Sequence, residues 1–383
     1  MQKKFTYFIV LAFISLCIWI LRSANTEVNN TLLRKTKYDY FMKSTVLTPT
    51  KIFCESMFNT YLSFIYIVKT KKFVTLKCVK IFSIAETPYF VIMVTSYVGH
   101  VELRSAHRRA MPQDLLKSMN ATRVFLLAKI PSNEKYITQA AIENEHSMFN
   151  DILQGSFVEN YRNLTLKHLM GLKWTSSECN PIYILKVDDD TVFSLESSYK
   201  LLLRMGTQKD LLMGYMLNNT VPRRNKENKW YVTKDEFVGN KYPPYLSGWY
   251  YITTSSTAKK LCDEAVYHPY FWIDDLYITG ILREIIGIKL THVPKDFWLE
   301  YYELLECCMT DMVKKFIRCD YVVGPNGGRN NLILEYNNAV RHCDKWRNCT
   351  VRSETKPLKE VCVVKGERDI FSDGQGEIQL VKL

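Results

Sequence analysis

The run Tyr183-Ile184-Leu185-Lys186-Val187-Asp188-Asp189-Asp190-Thr191-Val192-Phe193 decides the fold. Tyr183 to Val187 is mostly apolar, with β-branched and aromatic members, and reads as a short buried strand. Three carboxylates follow without a break. Desolvation and mutual repulsion make three unpaired charges costly at a packed strand end, so something positive has to compensate them. In open α/β sheets ligands bind outside the carboxyl ends of the strands, where these aspartates fall. A hard divalent cation with oxygen ligands, carrying a phosphate-bearing substrate, fits that position. An acidic loop that is solvated or holds a structural ion is the plainer alternative.

Upstream, Phe90 to Thr95 reads as a buried strand, followed by a turn at Gly99. A helix opens at Arg104-Ser105-Ala106-His107-Arg108-Arg109. Val124 to Ala128 is the next strand, Ile142 to Met148 looks helical, and Leu164 to Trp174 has helix-spaced apolar residues. Downstream, Leu211 to Gly214 is a further strand. Strands alternating with helices predict an α/β fold on a largely parallel sheet. Tyr242 to Trp249 reads as a turn-rich aromatic loop, because Pro243 and Pro244 bias it away from helix. It suits either a sugar-stacking wall or plain packing. Asp274-Asp275 follows the aromatic stretch His268 to Ile273 and precedes helical spacing from Leu276 to Ile288. Negative charge is favoured at that helix start, and helix capping accounts for one of the two aspartates. A second one, beside so many rings, points to a substrate cleft.

The chain has 383 residues, a formal charge of +12 and eleven cysteines. Phe5 to Leu21 is a run of seventeen residues without charge, behind Lys3 and Lys4. That length sits at the lower limit for a membrane span, about 17–25 residues. A signal anchor with a cytosolic N-terminus is the preferred reading, and a cleaved signal peptide its competitor. The rest of the chain would then be lumenal. Acceptor sequences for N-glycans at Asn29, Asn120, Asn163, Asn218 and Asn348 agree. So do six cysteines crowded between Cys307 and Cys362. A lumenal body argues against nucleic acid as the partner of the basic charge; an anionic substrate or a solvated surface remain. The expected division is a tail at 1–4, an anchor at 5–21, a stem and poorly assigned segment at 22–84, a catalytic domain at 85–300 and a Cys-rich extension at 301–383.

Five stretches, taken in this order, resemble the β-1,3-glycosyltransferases of glycosyltransferase family 31. Arg104-Ser105-Ala106-His107-Arg108 is similar to that family's Arg-x-Ala-Ile-Arg element. Asp151-Ile152-Leu153-Gln154 through Asn163-Leu164-Thr165-Leu166-Lys167 matches another. Lys186-Val187-Asp188-Asp189-Asp190 resembles the metal-binding Asp-x-Asp motif. Tyr242-Pro243-Pro244-Tyr245 with Ser247-Gly248, and Asp274-Asp275-Leu276-Tyr277, complete the set. Met111, Leu246 and Tyr250 depart from residues the family usually carries, and a bulky Tyr250 would reshape a donor-sugar pocket.

The resemblance implies a Rossmann-like GT-A nucleotide-sugar fold and a UDP-sugar donor. It implies a divalent metal, Mn2+, held by Asp188 and Asp190, with Asp189 facing the donor ribose or sugar. Asp275 would be the base that takes the proton of the acceptor hydroxyl, and inversion would give a β-1,3 linkage. Arg104 and Arg108 would contact nucleotide or phosphate, or else lie on a helix surface. His292 is a candidate for a further metal ligand. The donor hexose would be Gal, GalNAc or GlcNAc, and the acceptor a glycan on glycoprotein or glycolipid at a Golgi membrane. Two rival readings are an inactive lumenal sugar-binding protein and a haloacid-dehalogenase-type phosphatase, whose nucleophile motif Asp188-x-Asp190 also fits.

Overall fold

The computed structural model describes residues 87–344 and 348–362. The apolar run 5–21, the stem and the segment 51–84 lie outside the described residues. Among the described residues no helix is long and apolar enough to cross a membrane.

A seven-stranded sheet forms the middle layer, in the order β3–β2–β1–β4–β7–β6–β8. Its strands are β1 (Phe90–Thr95), β2 (Ala121–Lys129), β3 (Ile152–Val158), β4 (Tyr183–Asp188), β6 (Leu212–Leu217), β7 (Tyr245–Thr254) and β8 (Thr291–His292). β1 is apolar at successive positions, and all six of its residues are buried because helices cover both sheet faces. β1 pairs in parallel with β2 on one side and with β4 on the other.

One face packs under α4 (Leu164–Trp174) and α6 (Ser255–Ala265). The other packs under α1 (Val101–Ala110), α5 (Leu195–Met205), α8 (Tyr302–Lys314) and α9 (Leu332–His342). α4 is buried almost all round, as a helix wedged into a core must be. Its Gly171 admits the side chains of Met93 and Leu126, which a Cβ would strike.

The expected parallel character holds for β1 to β4, but β7 is antiparallel to both β4 and β6, so the sheet is mixed. The aromatic loop read at Tyr242 to Trp249 is in part the start of β7. Proline disfavours helix but leaves the residues after it free to extend, so the same signal precedes a loop or a strand. Tyr250 on β7 is 1 % exposed, its ring lies near Phe193, and its hydroxyl donates to Ser198 on α5. It fills core and does not line an open pocket. Met111 is likewise fully buried.

The described part of the cysteine-rich extension is not a separate body. Leu304, Leu305, Leu332, Ile333 and Tyr336 join the same core as β1 and β4. Disulfides Cys307–Cys362, Cys308–Cys319 and Cys343–Cys349 fasten it. A second, two-stranded sheet pairs β5 (Thr191–Phe193) with β9 (Val323–Pro325) of the extension.

Candidate active site

From β1 the chain builds outward through β2 and β3, while β4 lies on β1's other side. The crevice at the carboxyl ends of β1 and β4 is therefore the point where strand order reverses, the usual ligand position in such sheets. Thr95 at the end of β1 is in register with Asp188 at the end of β4. The three aspartates then divide. Asp188 is partly exposed, with 31 % of its side chain open, and Asp190 is exposed. Asp189 is 7 % exposed and turned inward. Its carboxylate bonds the His100 ring at 2.9 Å, its N–H donates to the carbonyl of Thr95, and its carbonyl faces His107 Nε2 at 2.9 Å.

This corrects the expectation that Asp189 faces the donor. Asp189 and Asp190 form the turn between β4 and Thr191, and within it the middle aspartate is buried and ties the turn down while Asp188 and Asp190 are more open. Burial pushes the His107 ring down to about 4, so it is neutral and donates from Nε2. For His100 burial works the other way from the hydrogen bond and charge of Asp189, and the latter win, raising it.

Lys186 stands two residues before Asp188, on the same face of β4 by the period of the strand. It is 1 % exposed. Its ammonium donates to Asp188 at 2.6 Å and to the carbonyl of Gly248 on β7 at 2.5 Å. The N–H of Gly248 in turn donates to Asp275 Oδ2 at 3.1 Å, and the N–H of Leu276 to Oδ1 at 2.7 Å. A single chain of hydrogen bonds thus joins the two acidic clusters, although 85 residues separate Asp190 from Asp275 in sequence. Burial would lower the Lys186 ammonium, but the charges of Asp188, Asp274 and Asp275 more than offset it and keep it charged. Burial first, and then Asp190 and Asp274, push Asp188 up to about 7 against the pull of Lys186. Burial first and Asp274 next push Asp275 up to about 7.

One of the pair caps the helix, as expected, and it is Asp275, through the N–H of Leu276; Asp274 has another partner. Asp274 accepts from His168 Nδ1 at 2.8 Å, and His168 Nε2 accepts from the Tyr251 hydroxyl at 2.5 Å. His168 and Tyr251 are fully buried. Burial, the largest influence on His168, keeps it below its ordinary value and so neutral at pH 7. A neutral ring has one donor and one acceptor nitrogen, and these two partners use both.

Arg104 and Arg108 are placed otherwise than expected. Neither reaches the crevice or lies free on a helix surface. Arg104 is fully buried and meets Glu145 on the helix Gln139–Phe149 at 2.7 Å and 2.8 Å, together with the carbonyls of Tyr97 and Val98. Arg108 bonds Glu145 and Asp151, each at 2.7 Å, and Asp151 also holds Arg123 of β2. A buried guanidinium needs paired carboxylates, and once it has them it is not available to phosphate. His292 sits on β8, in register with Gly214 on β6, its Nδ1 2.7 Å from the carbonyl of Val293. Three strand spacings, about 14 Å, separate β8 from β4, so the structure does not gather it with Asp188 and Asp190. Tyr242, Phe271 and Trp272 are buried beside Phe237 and pack rather than stack on a ligand.

Exposed aromatic surface lies elsewhere. Tyr161 is 40 % exposed and its hydroxyl accepts from Trp230 Nε1 at 2.9 Å. Burial of that hydroxyl first, then the charge of Asp274, pushes it up, which sets it in the field of the carboxylates. Lys186, His168 and Tyr161 were not singled out in the sequence. For Lys186 a signal existed: a lysine inside a buried strand, two residues from an aspartate, has to pair on that face.

Gly248 is required by close approach. A Cβ there would stand 3.3 Å from Asp275 Cβ and 3.4 Å from its Oδ2. Gly248→Ala is expected to push the carboxylate aside by a few tenths of an ångström and lower turnover about tenfold, given that about 1 Å of misplacement can cost 100-fold. Parent-like turnover in a correctly folded Gly248→Ala protein would show that Asp275 does not need this placement.

A mixed α/β sheet whose strand ends gather carboxylates around an open crevice belongs to the class of ligand-binding α/β folds. Within it, the galactosyltransferase family model matches residues 103–294, half of the chain, and the chain belongs to that family. β-1,3-Galactosyltransferase 2 of Homo sapiens is 27 % identical over 223 residues, covering 57 % of this chain and 52 % of that protein. β-1,3-Galactosyltransferase 1 of Mus musculus is 28 % identical over 221 residues, covering 57 % of this chain and 67 % of that one. The chain thus spans about half the length of the human relative. Among solved structures, the bifunctional glycosyltransferase WbbM has a TM-score of 0.37 at 10 % identity, over 69 % of this chain and 51 % of that one. The Pyrobaculum calidifontis mannosyltransferase PcManGT, solved with GDP-Man and Mn2+, has 0.33 at 11 %, over 76 % and 82 %. Family membership removes the phosphatase reading.

Proposed function

We propose that this chain is a UDP-sugar-dependent hexosyltransferase of GT-A type. It moves Gal, GalNAc or GlcNAc to a hydroxyl of a glycan acceptor with inversion, forming a β-1,3 linkage. The observation that carries the reading is the continuous network Asp188–Lys186–Gly248–Asp275 at the open strand ends. It sets a carboxylate suited to general-base work in fixed relation to a carboxylate pair suited to a cation.

The donor set fits a divalent cation. Asp190 raises Asp188 by repulsion, a conflict that a shared cation relieves. Among the described residues no three His, Cys, Asp or Glu side chains gather to hold a metal by themselves. Asp188 and Asp190 would therefore share the ion with phosphate oxygens and water, which suits Mg2+ or Mn2+. When bound, the ion supplies Lewis-acid neutralisation of the leaving UDP. Lys186 holds Asp188 in place throughout. Asp275, oriented by the N–H groups of Gly248 and Leu276, accepts the proton of the acceptor hydroxyl as that oxygen attacks the anomeric carbon. His168, backed by Tyr251, fixes Asp274, whose charge keeps Asp275 a stronger base. Tyr161 and Trp230 offer the acceptor sugar an apolar face at the rim.

The proposed setting is a Golgi membrane, type II, with the catalytic body lumenal. The apolar run behind Lys3 and Lys4 supports this. So do the disulfides of the described extension, which persist in an oxidising compartment.

The test is UDP release from UDP-Gal, UDP-GalNAc and UDP-GlcNAc by the purified protein with Mn2+, with and without glycan acceptors. No release from any donor, under conditions where UDP binds, would favour an inactive sugar-binding protein. A pH profile adds a sign. A carboxyl raised to about 7 is protonated below that pH and charged above it. Turnover should therefore fall as pH drops through about 7, with a slope of one. Bound cation should move the inflection downward. Turnover that is flat from pH 8 to pH 5 would contradict Asp275 as the base.

A further inference from the structure

The cysteine-rich extension, outside the matched family segment, reaches the acidic turn. β9 pairs antiparallel with β5, which starts one residue after Asp190, and Thr191 lies opposite Pro325. The next residue, Asn326, donates its N–H to the carbonyl of Asp190 at 3.0 Å. From there the loop Asn326-Gly327-Gly328-Arg329-Asn330-Asn331 crosses to α1. Asn330 donates to Glu102 at 2.7 Å, and Asn331 accepts from Arg109 at 2.6 Å. Glu102 lies in the first turn of α1, two residues from His100, the partner of Asp189. The loop is thus strung between the two edges of the crevice at the ends of β1 and β4.

The loop is firmly seated. Leu332 behind it is fully buried, and Asn337 on α9 bonds the carbonyl of Phe193 and the N–H of Leu195. Gly327 and Gly328 have φ of +59° and +79°, a region that glycine occupies without penalty. Gly327 is pressed against the Tyr302 ring, so no side chain fits there. Gly328 has no atom within 4 Å of its Cβ position, so this part of the loop borders open space. The Asn326 side chain accepts from Gly328 N–H at 3.0 Å and fixes the turn.

We infer that residues 326–331 of the extension form the outer wall of the donor site and position the nucleoside diphosphate part of the donor against Asp190. The inference rests on the donor-site reading above. A backbone without side chains lets a ligand approach closely, while the N–H groups of Asn326, Gly328 and Arg329 are spent on Asp190 and on the turn itself and hold its shape. Asn326 is a positioning residue: its backbone N–H ties the turn to Asp190, and its side chain, which Asn326→Ala removes, fixes the turn at Gly328. The active unit then includes the disulfide-bonded extension.

The experiment measures UDP binding in Mn2+ by calorimetry, and KM for donor and acceptor separately, on Asn326→Ala, Asn330→Ala and Gly328→Val. UDP affinity should fall and donor KM rise about tenfold, on the scale of one or two hydrogen bonds. Acceptor KM should stay within about twofold of the parent. Gly328→Ala should lie between the parent and Gly328→Val. If Gly328→Val does not fold, the two asparagine variants decide alone, since Asn330 is exposed and Asn326 is half-buried at the loop base. Unchanged UDP affinity in these variants overturns the inference, as does a rise in acceptor KM alone, which would put the loop on the acceptor side. Asp190→Asn runs alongside. If it also leaves UDP affinity unchanged, the donor-site reading itself is wrong; if it loses UDP while the loop variants do not, only the loop's role falls.

Discussion

Asp275→Asn should lower turnover by about 10²–10⁴-fold, the usual cost of losing a general base, while UDP affinity in Mn2+ stays nearly unchanged. The amide keeps the shape of the side chain. Its oxygen can still accept one of the two N–H groups, from Gly248 or Leu276, that now hold the carboxylate. What it cannot do is accept a proton. Removing one charge also relieves the repulsion with Asp274, so the fold has no reason to suffer. The expected pattern, lost kcat with retained binding, marks an interaction made mainly in the transition state. Asp274→Asn should be milder, because its partner is the buried His168 rather than a reacting atom. Asp275→Asn with parent turnover would remove it as the base. Asp275→Asn losing UDP as badly as Asp190→Asn would move it into the metal shell.

The fold was readable wherever burial imposed a continuous pattern. Phe90 to Val94 is apolar throughout and Tyr183 to Val187 is apolar but for Lys186, because both sheet faces are covered, and both are strands. The charge at the end of β4 was legible for the same reason: carboxylates next to such a strand cannot be filler. Partners brought by distant segments were not legible. Arg104 and Arg108 look like surface or phosphate-binding groups until Glu145 and Asp151 arrive from 37 to 43 residues away. The reversal of β7 was hidden because prolines announce extended backbone without saying which way it runs. The pairing of Thr191 with Pro325 leaves no local signal at all, so the extension's approach to the acidic turn emerges only in three dimensions.

Asp188 and Asp190 should part company when each is replaced by alanine, although both are expected to abolish transfer. Loss of Lewis-acid stabilisation is worth several kcal/mol, about 10³-fold or more in rate. Asp190 is exposed and precedes the buried β5. Asp190→Ala should therefore keep its melting temperature and lose metal-dependent UDP binding. Asp188 is different, because its carboxylate is 2.6 Å from an ammonium that is 1 % exposed. Asp188→Ala leaves Lys186 with the carbonyl of Gly248 and the more distant charges of Asp274 and Asp275. Removing one partner of a buried pair costs about 3–5 kcal/mol; the remaining partners should hold the loss to the lower end. Asp188→Asn returns a neutral acceptor to Lys186 and should recover most of the stability but none of the activity. Chelation of the parent protein with EDTA should reproduce the loss of transfer without any loss of stability of the Asp188→Ala kind. Full activity in EDTA would exclude the metal role. Equal melting temperatures for Asp188→Ala and Asp190→Ala would mean that Lys186 does not depend on Asp188, and that the network joining the two acidic clusters is held from the Gly248 side alone.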